Sequence, residues 1–288
     1  MPPTSLQVRS AALSDRGRTE EILRSSRWRH QHLDWEHPLD LMDRDPFLLA
    51  VAGGVLVGCL ACPEEPPGIA WIRLFVSHSP SAVEEVWGAL WPRAQTQLRS
   101  SMPKFAALTR QAWMKEVLQQ SGFRETHTVL FMEWQGPAPA AIPLEGIRFR
   151  PLRLNDLDDI GSIDSQAFSP LWQQSRMALD AALTQSSLAT AAVDTQSKMV
   201  GYALSTFSAL GGHVARLAVL PSHQHRGVGQ ALMVDTLRDL VGRDMQTVSV
   251  NTQSDNPRAR ELYRRLGFRE TGQVYPVFER PWESEPLG

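Results

Sequence analysis

The chain has 288 residues, of which 42% are hydrophobic, and its formal net charge is −2. That length supports one large core or two ordinary ones, and the charge balance lacks the basic excess that holds nucleic-acid phosphates, so no nucleic-acid partner is expected. The N-terminal stretch MPPTSLQVRSAALSDRGRTEE has no apolar signal core and no window approaches 18 uninterrupted apolar residues, which points away from a membrane and toward a cytoplasmic protein. In chain order, VLVGCLACP around Cys59 and Cys62 reads as a strand. Its Cys-x-x-Cys could be a redox pair or half a metal site, but no second Cys/His pair is suitably spaced and the surroundings read as a strand, so no metal is expected. Trp28, Trp35, Trp71, Trp87, Trp91, Trp113 and Trp134 crowd the first half, as an aromatic acceptor surface or as core. The stretch Gly136-Pro137-Ala138-Pro139-Ala140-Ala141-Ile142-Pro143 resists both helix and ladder pairing. It predicts a linker over 136–145 between a domain at 1–135 and another at 146–288.

The pentapeptide GFRET occurs at Gly122–Thr126 and again at Gly267–Thr271, an internal repeat at half the chain length. Arg73-Leu74-Phe75-Val76 matches Arg216-Leu217-Ala218-Val219, and Val57-Gly58 matches Val200-Gly201, in the same order. In the second copy, 191–193 and 200–207 read as strands joined by a turn at 195–198, and His213 to Leu220 as a third. A loop bearing Gly227 and Gly229 then leads into a helix with Met233, Leu237, Leu240 and Val241 on one face. After a strand at 247–252, Asn256 can cap a helix with Pro257 at its first position and Gly267 past its end. Ala259, Leu262, Tyr263 and Leu266 share a face of that helix.

Two glycines one residue apart let backbone approach a ligand, while the following helix presents unpaired N–H groups and the positive end of its dipole. A pyrophosphate suits such a place, and so does a tight turn with no ligand. The run Arg216-Leu217-Ala218-Val219-Leu220-Pro221 with Gln224-x-x-Gly227-x-Gly229 resembles motif A of the GNAT superfamily of N-acetyltransferases. Asn256-Pro257, Ala259, Leu262-Tyr263 and Gly267-Phe268 resemble its motif B. The resemblance implies an α/β fold of two tandem GNAT-like domains, each a mixed, mostly antiparallel sheet flanked by helices around a parallel pair that splays. It implies acetyl-CoA as cosubstrate and a primary amine, on a small molecule or peptide, as acceptor. In family terms Gln224, His225, Arg226, Gly227, Val228, Gly229, Gln230 and Ala231 would hold the pyrophosphate. The backbone of Leu217, Ala218 and Val219 would pair with the pantetheine arm, and Val219 or a neighbour would polarise the thioester carbonyl. Asn256 would position the cofactor, and Tyr263 would sit near the sulfur as general acid.

Many family members carry a glutamate base on the strand before motif A, whereas this strand reads His213-Val214-Ala215-Arg216. His213 is the candidate base; the bland reading is a strand-end surface histidine. A base matters because an amine of pKa about 10.4 must lose its proton at a cost near 4.6 kcal/mol at neutral pH, against about 1.4 for an α-amine. In the first half, Gln224, Gly227 and Gly229 map onto Ala82, Glu85 and Trp87, while Asn256 and Tyr263 map onto Gln111 and Leu118. That copy reads as one that has lost its cofactor site. Asp156 to Leu183 and Val274 to Arg280 are expected to wall the acceptor. No residue selects among a sugar-linked amine, a polyamine, an antibiotic and a peptide. A non-catalytic acyl-CoA sensor and transfer of a longer acyl group stand as alternatives.

Overall fold

The computed structural model describes residues 6–282; the first five residues of the N-terminal stretch read above, and the last six of the chain, lie outside the described residues. Contacts divide the chain into two compact units, the first running to Thr126 and resuming at Tyr275, the second spanning His127–Val274. The first contains β1 (Gln7–Ser10), α1 (Arg16–Ser25), β2 (Trp28–Gln31), β3 (Phe47–Ala52), β4 (Val55–Ala61), β5 (Ile69–Trp71), β6 (Leu74–Ser77), α2 (Val83–Gln97), β7 (Lys104–Leu108) and α3 (Ala112–Gln120). The chain passes along β8 (Arg124–Gln135) into the second unit, with β9 (Arg148–Pro151), α4 (Leu157–Ala167), α5 (Arg176–Gln185), β10 (Leu188–Val193), β11 (Met199–Ser208), β12 (Gly211–Val219), α6 (Val228–Val241), β13 (Thr247–Gln253) and α7 (Pro257–Arg265). It leaves along β14 (Arg269–Arg280).

The division therefore cuts two strands instead of falling at the Pro/Ala-rich stretch, which lies within the second unit and carries no helix or strand. The reason is hydrogen bonding: from Val277 to Arg280, β14 pairs antiparallel with β7, and Phe278 is 1% exposed in the first unit's core. Of the stretch Val274 to Arg280, expected to wall the acceptor, residues 275–280 belong to the first unit. Most of the tryptophans are core: Trp71, Trp87, Trp91 and Trp134 are buried, and Trp28 and Trp113 pack on a buried cluster. Cys59 and Cys62 are free, fully buried and placed in different apolar clusters, and burial pushes the Cys59 thiol up to about 12.

The two units repeat one plan. In each, a first strand is followed by a 3-10 turn whose aspartate, Asp15 or Asp156, takes a two-pronged ion pair from Arg9 or Arg150. GFRET marks one device used twice. Gly122 and Gly267 have φ of 81° and 94°, and the next N–H, of Phe123 or Phe268, reaches back to Leu118 or Tyr263 at 3.0 Å. This is the left-handed stop of a helix, where glycine carries no Cβ penalty, and both phenylalanines are 2% exposed beneath it.

Candidate active site

The central strands of the second unit part company. β12 and β13 run parallel through Gly212↔Val248, His213↔Ser249 and Val214↔Val250, and the ladder stops there although β12 continues to Val219 and β13 to Gln253. Each keeps its outer neighbour: β12 stays paired to β11 as far as Val219, and β13 to β8 as far as Gln253. The pairing with β11 shifts at Leu204/Ser205, leaving Ala215 as an extra residue where the strands separate. Beyond it, Leu220 N–H is bound to the Val200 carbonyl at 2.8 Å, toward β11. Alternation along a strand then turns the backbone groups of Val219 and Leu217 to the edge that β13 has left. Such groups take a partner when buried, and a linear amide-bearing chain is the kind of molecule that supplies one.

At the wide end of the gap, a 3-10 turn at Pro221–His223 leads through Gln224, His225 and Arg226 to Gly227, which has φ 81° and precedes α6. Gln224 Nε2 donates to the Val219 carbonyl at 3.0 Å, tying the loop to the strand end. No side chain caps α6, so Val228, Gly229 and Gln230 present N–H groups with no acceptor inside the helix. A Cβ on Gly229 would lie 3.6 Å from Val219 and 3.8 Å from Leu262, so the helix start sits close to both β12 and α7. His225 and Arg226 are exposed, Val228 and Ala231 buried. The site thus offers an anion the dipole end of a helix and a glycine-lined approach, which fits a pyrophosphate.

Asn256 caps α7, its Oδ1 accepting from Ala259 N–H at 3.0 Å. Tyr263, 6% exposed, joins one apolar cluster with Val214 and Val250, the last pair before the strands part, and with Met233 of α6. Its ring meets Phe268 at 5.6 Å, and burial raises its phenol above the ordinary value, keeping it protonated. His213 lies on the paired side of the gap, directly opposite Ser249, with Nδ1 2.9 Å from Ser249 Oγ. Burial lowers its pKa, so it is neutral at pH 7. Side-chain alternation sets it on the sheet face opposite Val214 and hence opposite Tyr263.

That opposite face holds a polar cluster which sequence reading passed over. Asp164 of α4, fully buried, accepts from Tyr202 Oη at 2.6 Å, Arg216 Nε at 2.6 Å and Gln174 N–H at 2.9 Å. Arg216 also donates to the Trp172 carbonyl at 2.8 Å, and its guanidinium lies 3.8 Å from the centre of the Phe168 ring. A signal was present: Ile160, Ile163 and Asp164 share the buried face of α4, and an acid at such a position needs a partner.

The first unit closes the corresponding gap with its own chain. An offset of 143 carries the pair-forming residues Ile69–Trp71, parallel to β7, onto Gly212–Val214, and β6 onto the free part of β12. There β2 runs antiparallel against β6 from Trp28↔Ser77 to Gln31↔Leu74, taking the edge that is open in the second unit. Gln111, at the position of Asn256, donates from Nε2 to the Arg29 carbonyl at 2.9 Å, and Trp113 meets Trp28 edge-on at 5.5 Å. Leu118 is fully buried where Tyr263 would stand. Trp87 is buried and stacked on Trp91, while Glu85 is exposed in the first turn of α2, which has no glycine loop before it.

Residues 157–268, which contain the loop, both strands of the gap, Tyr263 and His213, match the Acetyltransferase (GNAT) family. No curated protein matches the chain. Among solved structures, a GCN5-related N-acetyltransferase from Sphaerobacter thermophilus is 18% identical with a TM-score of 0.61, covering 97% of this chain and 96% of that one. A tandem GNAT protein from the clavulanic acid biosynthesis pathway is 12% identical with a TM-score of 0.64, covering 98% and 100%. A probable N-acyltransferase of Enterococcus faecalis V583 is 10% identical with a TM-score of 0.75, covering 97% and 73%. At these identities the structural likeness shows a tandem GNAT fold along the chain, and the family match covers residues 157–268 of its second half.

Proposed function

We propose that the second unit transfers an acetyl group from acetyl-CoA to a primary amine by direct attack, and that the first unit binds no cofactor. The observation that carries the reading is the gap between β12 and β13, with a helix N-terminus at its wide end and a protonated phenol behind it. Acetyl-CoA supplies an acyl group activated as a thioester. Val228, Gly229 and Gln230 N–H groups would hold its pyrophosphate, and Leu217 and Val219 backbone groups would pair with its amide-bearing arm. The N–H of Val219 faces the gap and is the donor best placed to polarise the thioester carbonyl. Tyr263, from one face, would protonate the departing sulfur; the amine would approach from the face that carries His213 and Arg216.

His213, neutral at pH 7, can accept the amine proton. His213→Gln should then remove the acidic limb of the kcat/KM profile, while an unchanged limb would assign the base elsewhere. The function itself is tested by incubating the protein with acetyl-CoA and a panel containing spermidine, glucosamine, kanamycin and a dipeptide, following free thiol and acetylated product. Acetylation of any of them supports transfer. Tight acetyl-CoA binding with no acetylated product from a broad panel would favour a non-catalytic acyl-CoA sensor.

A further inference from the structure

Arg216 stands two residues past the last β12–β13 pair, on the part of the strand that borders the gap, yet its side chain turns away from the loop that would hold phosphate. It is committed to the segment between α4 and α5. One guanidinium bonds the Trp172 carbonyl, covers the Phe168 ring and pairs with Asp164, and Asp164 in turn holds the Gln174 N–H. The same segment reaches toward the far strand: the Trp172 ring meets His127 of β8 edge-on at 5.9 Å, and β8 is the neighbour of β13 on the side away from β12. The segment is thus anchored on β12 and extends over β13, across the face of the gap opposite Tyr263.

The first unit repeats the arrangement. Arg73, the counterpart of Arg216 at an offset of 143, is buried and bonds Asp34 and Glu36 at 2.7 Å each, while its carbonyl takes the His32 N–H at 2.9 Å. There too the arginine after the irregular step in the central strand grips the chain that follows the first helix. The outcome differs. In the first unit that chain enters the gap as β2; in the second, the counterpart is a 3-10 turn opening with Pro170, which has no N–H to give a ladder.

We propose that Arg216, braced by Asp164, is a positioning residue that holds Phe168–Gln174 as a fixed wall over the gap and so sets the affinity for the amine acceptor. This rests on the transfer reading above and names a determinant of its acceptor side. Removing one partner of a buried ion pair strands the other charge and destabilises the fold whatever the pair's role. The test therefore removes both charges together, in the double variant Asp164→Asn with Arg216→Met, and adds Arg216→Lys, which keeps a charge beside Asp164 but lacks the planar fork that spans two acceptors.

Acetyl-CoA affinity, by calorimetry, should stay within about threefold in both variants, while KM for the best amine of the panel rises about tenfold or more. In hydrogen exchange, the amides of residues 172–174 should lose protection in the double variant while those of β12 and α6 keep theirs. An acceptor KM within about twofold of the parent in a folded double variant overturns the proposal. Retained protection at 172–174 overturns it as well, whether or not the panel contains an acceptor. Failure of the parental protein to acetylate any amine would instead strike at the function proposed above, so the two failures are distinguishable.

Discussion

At the scale of single residues, the two faces of the gap carry groups that burial keeps uncharged, Tyr263 with its phenol proton on one face and His213 as a neutral imidazole on the other. Tyr263 is buried among Val214, Val250 and Met233, and that apolar environment keeps its proton on at any pH the protein meets. It is a poor base and a standing donor. Replacing it by phenylalanine removes one oxygen and leaves the ring that packs on Phe268. Turnover with an identified acceptor should fall by about 10²-fold, near 2.7 kcal/mol of barrier, while acetyl-CoA affinity stays within a few-fold. Rapid-quench assays with chemistry rate-limiting would decide it, and a parental rate across the pH range would end the role. The sequence singled out Tyr263 through its resemblance to motif B and its helix face, and the residue is buried beside Val214 and Val250. It did not show Asp164 or Tyr202, because their meaning lies in a contact between α4, β11 and β12 that no local pattern encodes.

At the scale of elements, what could be read locally was read, and what depends on pairing was not. The helix stop at GFRET, the cap by Asn256 and the glycine loop are set by residues within one turn of each other, and all three stand in the structure as the sequence implies. The course of β2 and β14 was illegible for the converse reason: each is short of internal signals and is fixed by the edge it covers. Two predictions belong here. Gly229→Ala adds a methyl at ordinary contact distance from Val219 and Leu262 and should weaken acetyl-CoA binding only modestly, whereas Gly229→Trp should abolish it in calorimetry. Equal losses would show that the closeness of α6 to the strand is not what admits the ligand. The second concerns His30 on β2, whose Nε2–H donates to the Ile72 carbonyl at 3.0 Å and whose pKa burial lowers to about 4. Below its unfolded value of about 6.5 the unfolded chain binds a proton that the folded chain does not, so stability present above that value is lost as pH falls toward 4. Between pH 7.5 and 4.5 this should cost about 2 kcal/mol, and His30→Gln should flatten the decline in urea melts by that amount. Parallel declines would show that β2 titrates unhindered.

At the scale of the whole chain, duplication has given two copies of one plan with opposite treatment of the same edge. In the second unit the backbone of Leu217 and Val219 faces an edge with no strand; in the first, the equivalent Leu74 and Val76 are in register with Gln31 and Arg29 of β2. The absence of a cofactor site proposed for the first copy would therefore be a matter of backbone as well as of side chains. The side-chain changes legible in the sequence, Glu85 and Trp87 among them, stand on the helices, while β2 fills the gap itself. The two explanations separate experimentally. If side chains alone closed the first site, Glu85→Gln with Trp87→Gly would reopen it. If β2 closes it, that pair of substitutions restores nothing, because a ligand would still have to displace four ladder-paired residues, break the bond from Gln111 to Arg29 and separate Trp28 from Trp113. Calorimetry of the parental chain should thus give one acetyl-CoA per chain, Gly229→Trp should give none, and the triple variant that adds Glu85→Gln and Trp87→Gly should also give none. Two sites in the parental chain, or a site recovered in the triple variant, would show that β2 yields to the ligand and that the first copy is a binding unit after all.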